Sequence, residues 1–215
     1  MRRIVKRKEP VALKEFRSGG GKFYEDLRGS AKTRLRNALF DEQQGLCCYC
    51  MNSIVSSEIG MKIEHWRSQK KYPDEQLRYA NLLGACRGND DRPKQFQHCD
   101  TRKGDADLSY NPANAVHAIE SRIFYEFDGR IRSHEEAFDQ ELNEVLNLNI
   151  EELMSGRRLA IEFAKNWYKK KKLKIQGPVP KSQIQRKIQE SQPSHGTLRP
   201  FIHVAVWWLQ RKLSK

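Results

Sequence analysis

All five cysteines of the chain and two of its six histidines fall between Cys47 and Gly104. Cys47 and Cys50 have two residues between them, a spacing that lets both thiolates turn toward one metal ion. A tetrahedral thiolate site needs two more ligands, and Cys86 and Cys99 can supply them. Twelve residues separate that second pair, so 87–98 (RGNDDRPKQFQH) reads as a loop inserted into a second knuckle. His98 is an alternative to Cys99 as ligand, and Cys48 is a spare thiol expected to pack inward. Four thiolates around Zn2+ leave no open position, so such a zinc would be structural. The opposing reading is a set of buried thiols that holds no metal.

The same stretch carries residues suited to a second chemistry. Met61 to Trp66 reads as a short strand, on which Glu64 and His65 point to opposite sides unless a twist at its end brings them to one site. Histidine, titrating near ~6.5, is the default group for deprotonating water at neutral pH. A carboxylate beside it is a hard-oxygen ligand for Mg2+ or Mn2+. Such a dipeptide is also common on ordinary surfaces. Asn81 opens NLLGAC, whose Leu82, Leu83 and Ala85 read as buried; it either serves the site or caps a short helix. Asp100, next to a zinc-ligand candidate, would have a rigidly held backbone and could be a second ligand for a divalent ion. Arg102 and Lys103 follow, suited to phosphate contacts or, on the plainer reading, to a solvated basic turn.

The elements that must position these residues are legible around them. Ala31 to Gln44 has helical spacing, with Leu35, Leu39 and Phe40 on one face, Lys32, Arg34, Arg36 and Asn37 on the other, and Gly45 as its stop. Residues 1–30 read as basic and irregular, and Ser18 to Lys22 as a linker that lacks phosphate-loop spacing. Arg122 to Ser133 reads as a β-hairpin turning at Asp128-Gly129. Phe138, Leu142, Val145 and Leu146 form an apolar stripe. Asn149 and Glu152 resemble a capping box for a helix carrying Leu153, Leu159, Ala160, Phe163, Ala164 and Trp167. Residues 181–199 read as a mobile polar loop, and Pro200 starts a last amphipathic helix. Its Trp207 and Trp208 cannot face the same core. The chain divides into a basic N-terminal arm and helix (1–45), a metal-bearing core (46–133) and a helical region (134–215).

Composition narrows the partners. The 215 residues carry a net charge of +13, and only 38% are apolar against 31% charged. A basic balance of this size favours a polyanion, above all nucleic acid. No apolar segment follows the basic start, and the apolar run Phe201 to Leu209 is too short to span a bilayer. A cytoplasmic location without membrane contact is expected, where clustered cysteines mean metal more often than disulfides.

Knuckle, Glu-His, Asn, cysteine, Asp and Lys in one line resemble the HNH endonuclease family. The resemblance implies an α+β fold with a ββα-metal core, two strands and a helix around one divalent ion, here with a structural four-cysteine zinc and flanking helices. It maps onto Glu64-His65, then Asn81, then Asp100 with Lys103. Asp100 stands where many members have His or Asn, and Ser68 replaces the proline often found three residues after the histidine. The resemblance implies that His65 is the general base, that Asn81 holds its loop, and that Glu64 and Asp100 bind Mg2+ or Mn2+. The phrases LCCYC, IEHWRSQ, YANLLGAC, HCDTRKG, YEFDGRI and LNLN are similar to the HNH subunits of Septu-type anti-phage defence systems, some of them encoded with a retron. That likeness implies an ATPase partner subunit and, for retron-linked members, a reverse transcriptase and its DNA. DNA is the family's default substrate, and RNA, including tRNA, is the alternative. The competing class is a non-catalytic zinc module that binds nucleic acid or a partner and is indifferent to Glu64, His65 and Asp100.

Overall fold

A computed structural model describes residues 1–175 and 177–213. The N-terminal part is built on two helices, α1 (Val11–Ser18) and α2 (Gly29–Glu42). Leu35 and Leu39 recur one turn apart on α2 and are fully buried. Gly45, at φ +73°, closes the helix end by donating its N–H to the Phe40 carbonyl. The chain then enters the tight turn that carries Cys47 and Cys50. Gln43 pins that turn to the segment around Gly84, its amide bonding both the Gly84 N–H and the Gly84 carbonyl as well as the Leu46 carbonyl.

Strands β1 (Lys62–His65) and β2 (Leu82–Ala85) pair antiparallel, with Glu64 opposite Leu83 and His65 opposite Leu82. Every residue of β2 is buried, so this pair lies inside the molecule. A short helix, α3 (Cys99–Lys103), comes next. Helix α4 (Ile119–Arg122) leads into the hairpin of β3 (Phe124–Tyr125) and β4 (Ile131–Arg132). Its turn needs Gly129, which has φ +92° and lies so close to Met154 that a Cβ would sit 2.2 Å from the Met154 carbonyl oxygen. Helix α5 (Glu136–Gln140) runs on into a π-helical turn, Glu141–Val145, burying Phe138 and Leu142. Helices α6 (Glu151–Lys172), α7 (Lys181–Ser191) and α8 (Ile202–Leu213) complete the chain, with α8 packed against both others. Helices with two separate two-stranded sheets make an α+β fold. One apolar cluster runs through all three sequence regions, joining Leu13, Leu39, Leu83, Ile131, Leu146 and Leu209. Among the described residues no helix is long and apolar enough to cross a membrane.

Several local expectations are corrected. Residues 11–18 are helical and bury Ala12 and Leu13, so the N-terminal arm is not irregular throughout. Arg36 is buried at 6% exposure, not on a solvated face. Asn149 caps no helix: its side chain bonds the backbone of Ile131 on both sides and accepts from Arg157. It therefore joins the hairpin to α6. The buried face of α6 is Leu153, Arg157, Ile161 and Ala164, while Leu159 and Phe163 are exposed. A buried arginine holds a position that an apolar count skips, and this rotates the inferred face. Residues 181–191 form α7 and are not a loop, because Ile184 and Ile188, one turn apart, give it an apolar edge to lay against α8. The two tryptophans do part company: Trp207 meets Tyr125 of the hairpin and Trp208 meets Tyr168 of α6.

Candidate metal centre and acidic site

Cys47, Cys50, Cys86 and Cys99 come together with all four sulfurs within 4.8 Å of one another. The Sγ atoms of Cys47 and Cys99 are 3.8 Å apart and those of Cys50 and Cys86 are 3.7 Å apart. A tetrahedral ion with metal–sulfur bonds of about 2.3 Å needs sulfurs about 3.8 Å from each other. The set fits a structural metal such as zinc. His98 is not part of it: its Nδ1 lies 3.1 Å from the Cys99 sulfur, where an N–H would donate to the thiolate. Burial raises the Cys47 thiol, but hydrogen bonds from Cys48, Cys50, Cys86 and Cys99 outweigh it and take Cys47 well below the usual thiol value. Cys48 is buried outside the four and is pushed up, first by burial.

The inserted loop is tied at both ends. His98 donates its N–H to the Gly88 carbonyl (3.0 Å), and Thr101 Oγ1 donates to the Arg87 carbonyl (2.7 Å). Gly88 has φ +60°, and a Cβ there would lie 2.1 Å from the His98 carbonyl oxygen. Only glycine closes this neck. Asn147 holds the far side of the loop through the Gln95 and Gln97 carbonyls, and Arg92 pairs with Glu152 at the start of α6.

Glu64 of β1 and Asp100, the residue after Cys99, belong to a separate acidic site. Glu64 is 2% exposed; Tyr49 donates its hydroxyl to Oε1 at 2.7 Å, and the Lys103 ammonium lies 2.9 Å from the same oxygen. Burial raises the Glu64 carboxyl well above its usual value, and the charge of Asp100 beside it raises it further. His65 is 5% exposed, and its Nε2 lies 3.0 Å from the Gln76 carbonyl. A carbonyl can only accept, so Nε2 carries the proton and Nδ1 bears the lone pair. Burial lowers the pKa of His65 to about 4, with Asp100 opposing and Lys103 and Lys32 reinforcing the shift. The ring packs edge-on against Tyr24 at 4.5 Å.

Asn81 is not a helix cap. Its Nδ2 donates to the Arg67 and Glu75 carbonyls, and its Oδ1 accepts from the Arg67 N–H. These bonds tie the segment after His65, including the turn that presents Gln76, to the start of β2.

Lys103 is not a surface phosphate contact, as the sequence suggested. It is 3% exposed, and its ammonium is held by Glu64 and by the His65 carbonyl at 3.0 Å. Arg102 is half-buried and donates to the Lys94 and Glu144 carbonyls in solvent-exposed hydrogen bonds. A lysine in the last turn of so short a helix falls on its inner face, where the two carboxyls need a cation. Sequence reasoning passed over Tyr49, although it sits inside the knuckle itself. It also missed Tyr24 and the Gln76 carbonyl, which no side-chain pattern announces. Among the described residues only the four cysteines form a group of three or more candidate ligands; Glu64, His65 and Asp100 do not close to that degree. Neither a scan against protein-family models nor a search of curated proteins found a match for the chain.

Proposed function

We propose that the chain is a divalent-metal-dependent endonuclease of the HNH type, with β1, β2 and α3 as its ββα-metal core. The observation that carries the reading is two carboxyls, Glu64 and Asp100, meeting beside a histidine whose free lone pair is fixed on Nδ1. Paired carboxyls in a buried setting are a hard-oxygen donor set with a standing deficit of positive charge, which fits Mg2+ or Mn2+. Glu64 and Asp100 would hold that ion. When bound, it would stabilise charge on the scissile phosphate and on the leaving oxygen.

The chain's own residues do the rest. His65 accepts a proton from the attacking water at Nδ1, and its low pKa keeps the ring neutral and ready at pH 7. Gln76 fixes the tautomer, and Asn81 fixes the segment that carries Gln76. Tyr49 and Lys103 orient the Glu64 carboxylate by gripping one oxygen. The thiol set, holding Zn2+, would anchor Cys99 and so place the adjoining Asp100. On the strength of the sequence phrases, the chain would act in the cytoplasm as the effector of a Septu-type defence complex with an ATPase subunit. DNA is the favoured substrate; RNA such as tRNA is the alternative in a retron-linked system, whose reverse transcriptase and DNA would then be partners.

A second reading, a non-catalytic zinc module, has one observation in its favour: only the thiols form a complete ligand set among the described residues. Incubating nucleic acid with Mg2+ or Mn2+ and with wild-type, His65→Ala or Asp100→Ala protein separates the two. Loss of the base should slow cleavage about 10²–10⁴-fold. Wild-type cleavage by His65→Ala would remove His65 from the mechanism, and absence of cleavage by all three would favour the zinc module.

A further inference from the structure

The chain's positive charge is distributed very unevenly. Residues 1–156 hold 25 Lys and Arg against 25 Asp and Glu, and so carry no net charge. Residues 157–215 hold 15 against 2, which is the entire +13. The part that contains the thiol set and the acidic site is neutral overall, and 13 of its 25 Lys and Arg are in ion pairs, such as Lys6 with Glu42 and Lys62 with Asp90. In the C-terminal part the only ion pairs among the described residues are those of Arg158 and Arg186.

The free cations are arranged. Lys165, Lys169 and Lys172 follow one another at i, i+4 and i+7 on α6, are all exposed, and so share one face. That face runs for about 10 Å, a length of duplex along which nucleic acid carries about six phosphate charges. Aromatic rings lie among the cations: Lys165 sits over the Phe127 ring at 4.7 Å, and Lys212 over Tyr168 at 5.6 Å. At its other end α6 pairs through Glu152 with Arg92 of the loop that leads to Asp100. The cationic face and the acidic site are thus linked through α6 and the tied loop 87–98.

We propose that the exposed face of α6, centred on Lys165, Lys169 and Lys172, is the docking surface for the phosphate backbone of nucleic acid. This rests on the nuclease reading for its biological sense and deepens it, by assigning substrate binding to a surface remote from the acidic site. Of the cations next to that site, Lys103 is buried and Arg102 is committed to two backbone carbonyls, so backbone affinity needs a further surface. A lipid surface fits less well, because the exposed apolar residues of α6, Leu159 and Phe163, lie well around the helix from the lysine face and cannot insert beside it.

The test is binding, measured in the full chain with His65→Ala so that cleavage does not interfere. Fluorescence anisotropy of a labelled oligonucleotide, single-stranded and duplex, is followed against salt. Lys165→Glu/Lys169→Glu/Lys172→Glu is compared with Lys8→Glu/Lys14→Glu/Lys22→Glu, which changes the net charge equally in the neutral part. Loss of three phosphate contacts lowers the slope of log K against log salt by about 2–3 and weakens binding on the order of 100-fold near physiological salt. The control triple should stay within a few-fold of the parent, and circular dichroism should show both variants folded. Equal weakening by the two triples would mean that net charge alone matters and would overturn the proposal. So would tight binding of phosphatidylserine vesicles that competes with the oligonucleotide. A chain that binds through α6 but never cleaves would leave this inference standing and refute the nuclease; one that cleaves but binds independently of α6 would do the reverse.

Discussion

Asn81→Ala tests whether the segment after His65 sets the base. The wild-type side chain, 4% exposed, makes three hydrogen bonds: the Arg67 N–H to Oδ1 at 2.8 Å, and Nδ2 to the Arg67 and Glu75 carbonyls at 3.0 and 3.1 Å. At about 1 kcal/mol each, their loss costs about 3 kcal/mol, which lowers the melting midpoint of a chain this long by about 6–12 °C. The functional cost is separate. Gln76, whose carbonyl fixes the His65 tautomer, follows Glu75 directly, so freeing that segment frees the imidazole. Single-turnover cleavage, measured well below the lowered midpoint, should therefore fall by a large part of the 10²–10⁴-fold expected of a general base. Asn81→Asp keeps the acceptor for Arg67 but loses both donors, and should cleave as poorly as the alanine variant while melting higher. Full activity in a variant that melts about 6–12 °C lower would show that the segment does not orient His65. An unchanged midpoint would show that the three bonds do not hold it.

Three further outcomes follow from the packing. The purified chain should contain one zinc by atomic absorption, and Cys50→Ser or stripping with a strong chelator should unfold it. Structural zinc sites are worth on the order of 10 kcal/mol, as much as a whole domain's stability. Cys48→Ser, outside the four, should keep its zinc. Lys103→Met should cost about 3–5 kcal/mol in urea unfolding, since it leaves Glu64 buried without its cation; an unchanged midpoint would mean that Lys103 is a surface group after all. His203, 7% exposed, has its pKa lowered to about 3, first by burial and then by Arg2. The folded chain therefore binds fewer protons than the unfolded one between about pH 6.5 and about 3. Stability from this group is whole above about pH 6.5 and is lost as pH falls through that window, by about 5 kcal/mol in all. His203→Gln should flatten the acid limb of stability against pH, and an identical slope in wild type and variant would refute the assignment.

The sequence made most of the local chemistry visible and less of the packing. The knuckle spacing named the four thiols because metal geometry restricts what lies between ligands, and the insertion of 87–98 did not hide them. The hairpin at Asp128-Gly129 and the helix through Leu35 and Leu39 followed from turn chemistry and apolar period. What periodicity could not supply was any residue buried for its partners. Lys103 and Arg36 read as surface cations and Arg157 was passed over, yet each is under a tenth exposed. Helix α7 was hidden for a related reason: eleven mostly polar residues form a helix only because Ile184 and Ile188 find α8, a partner that lies across a loop. Tyr49 and Gln76 act through a hydroxyl and a backbone carbonyl, so their roles depend on where β1 passes.

Cys99 explains why the two sites are neighbours. It has φ +55°, a left-handed conformation that costs a residue with a Cβ about 1–2 kcal/mol. Two restraints hold it there: its N–H bonds the Leu146 carbonyl at 2.9 Å, and its sulfur belongs to the thiol set. The next residue is Asp100, whose carboxyl faces Glu64. The position of that carboxyl is therefore inherited from three cysteines far away in sequence. The same logic explains how twelve residues can be inserted at 87–98 without displacing Asp100. The loop is pinched shut at Gly88 and His98 and again at Arg87 and Thr101, so its length does not reach α3. In the unfolding that follows zinc loss, the acidic site should accordingly be lost first and the helices α6 to α8 last, since their packing on one another involves none of the thiols.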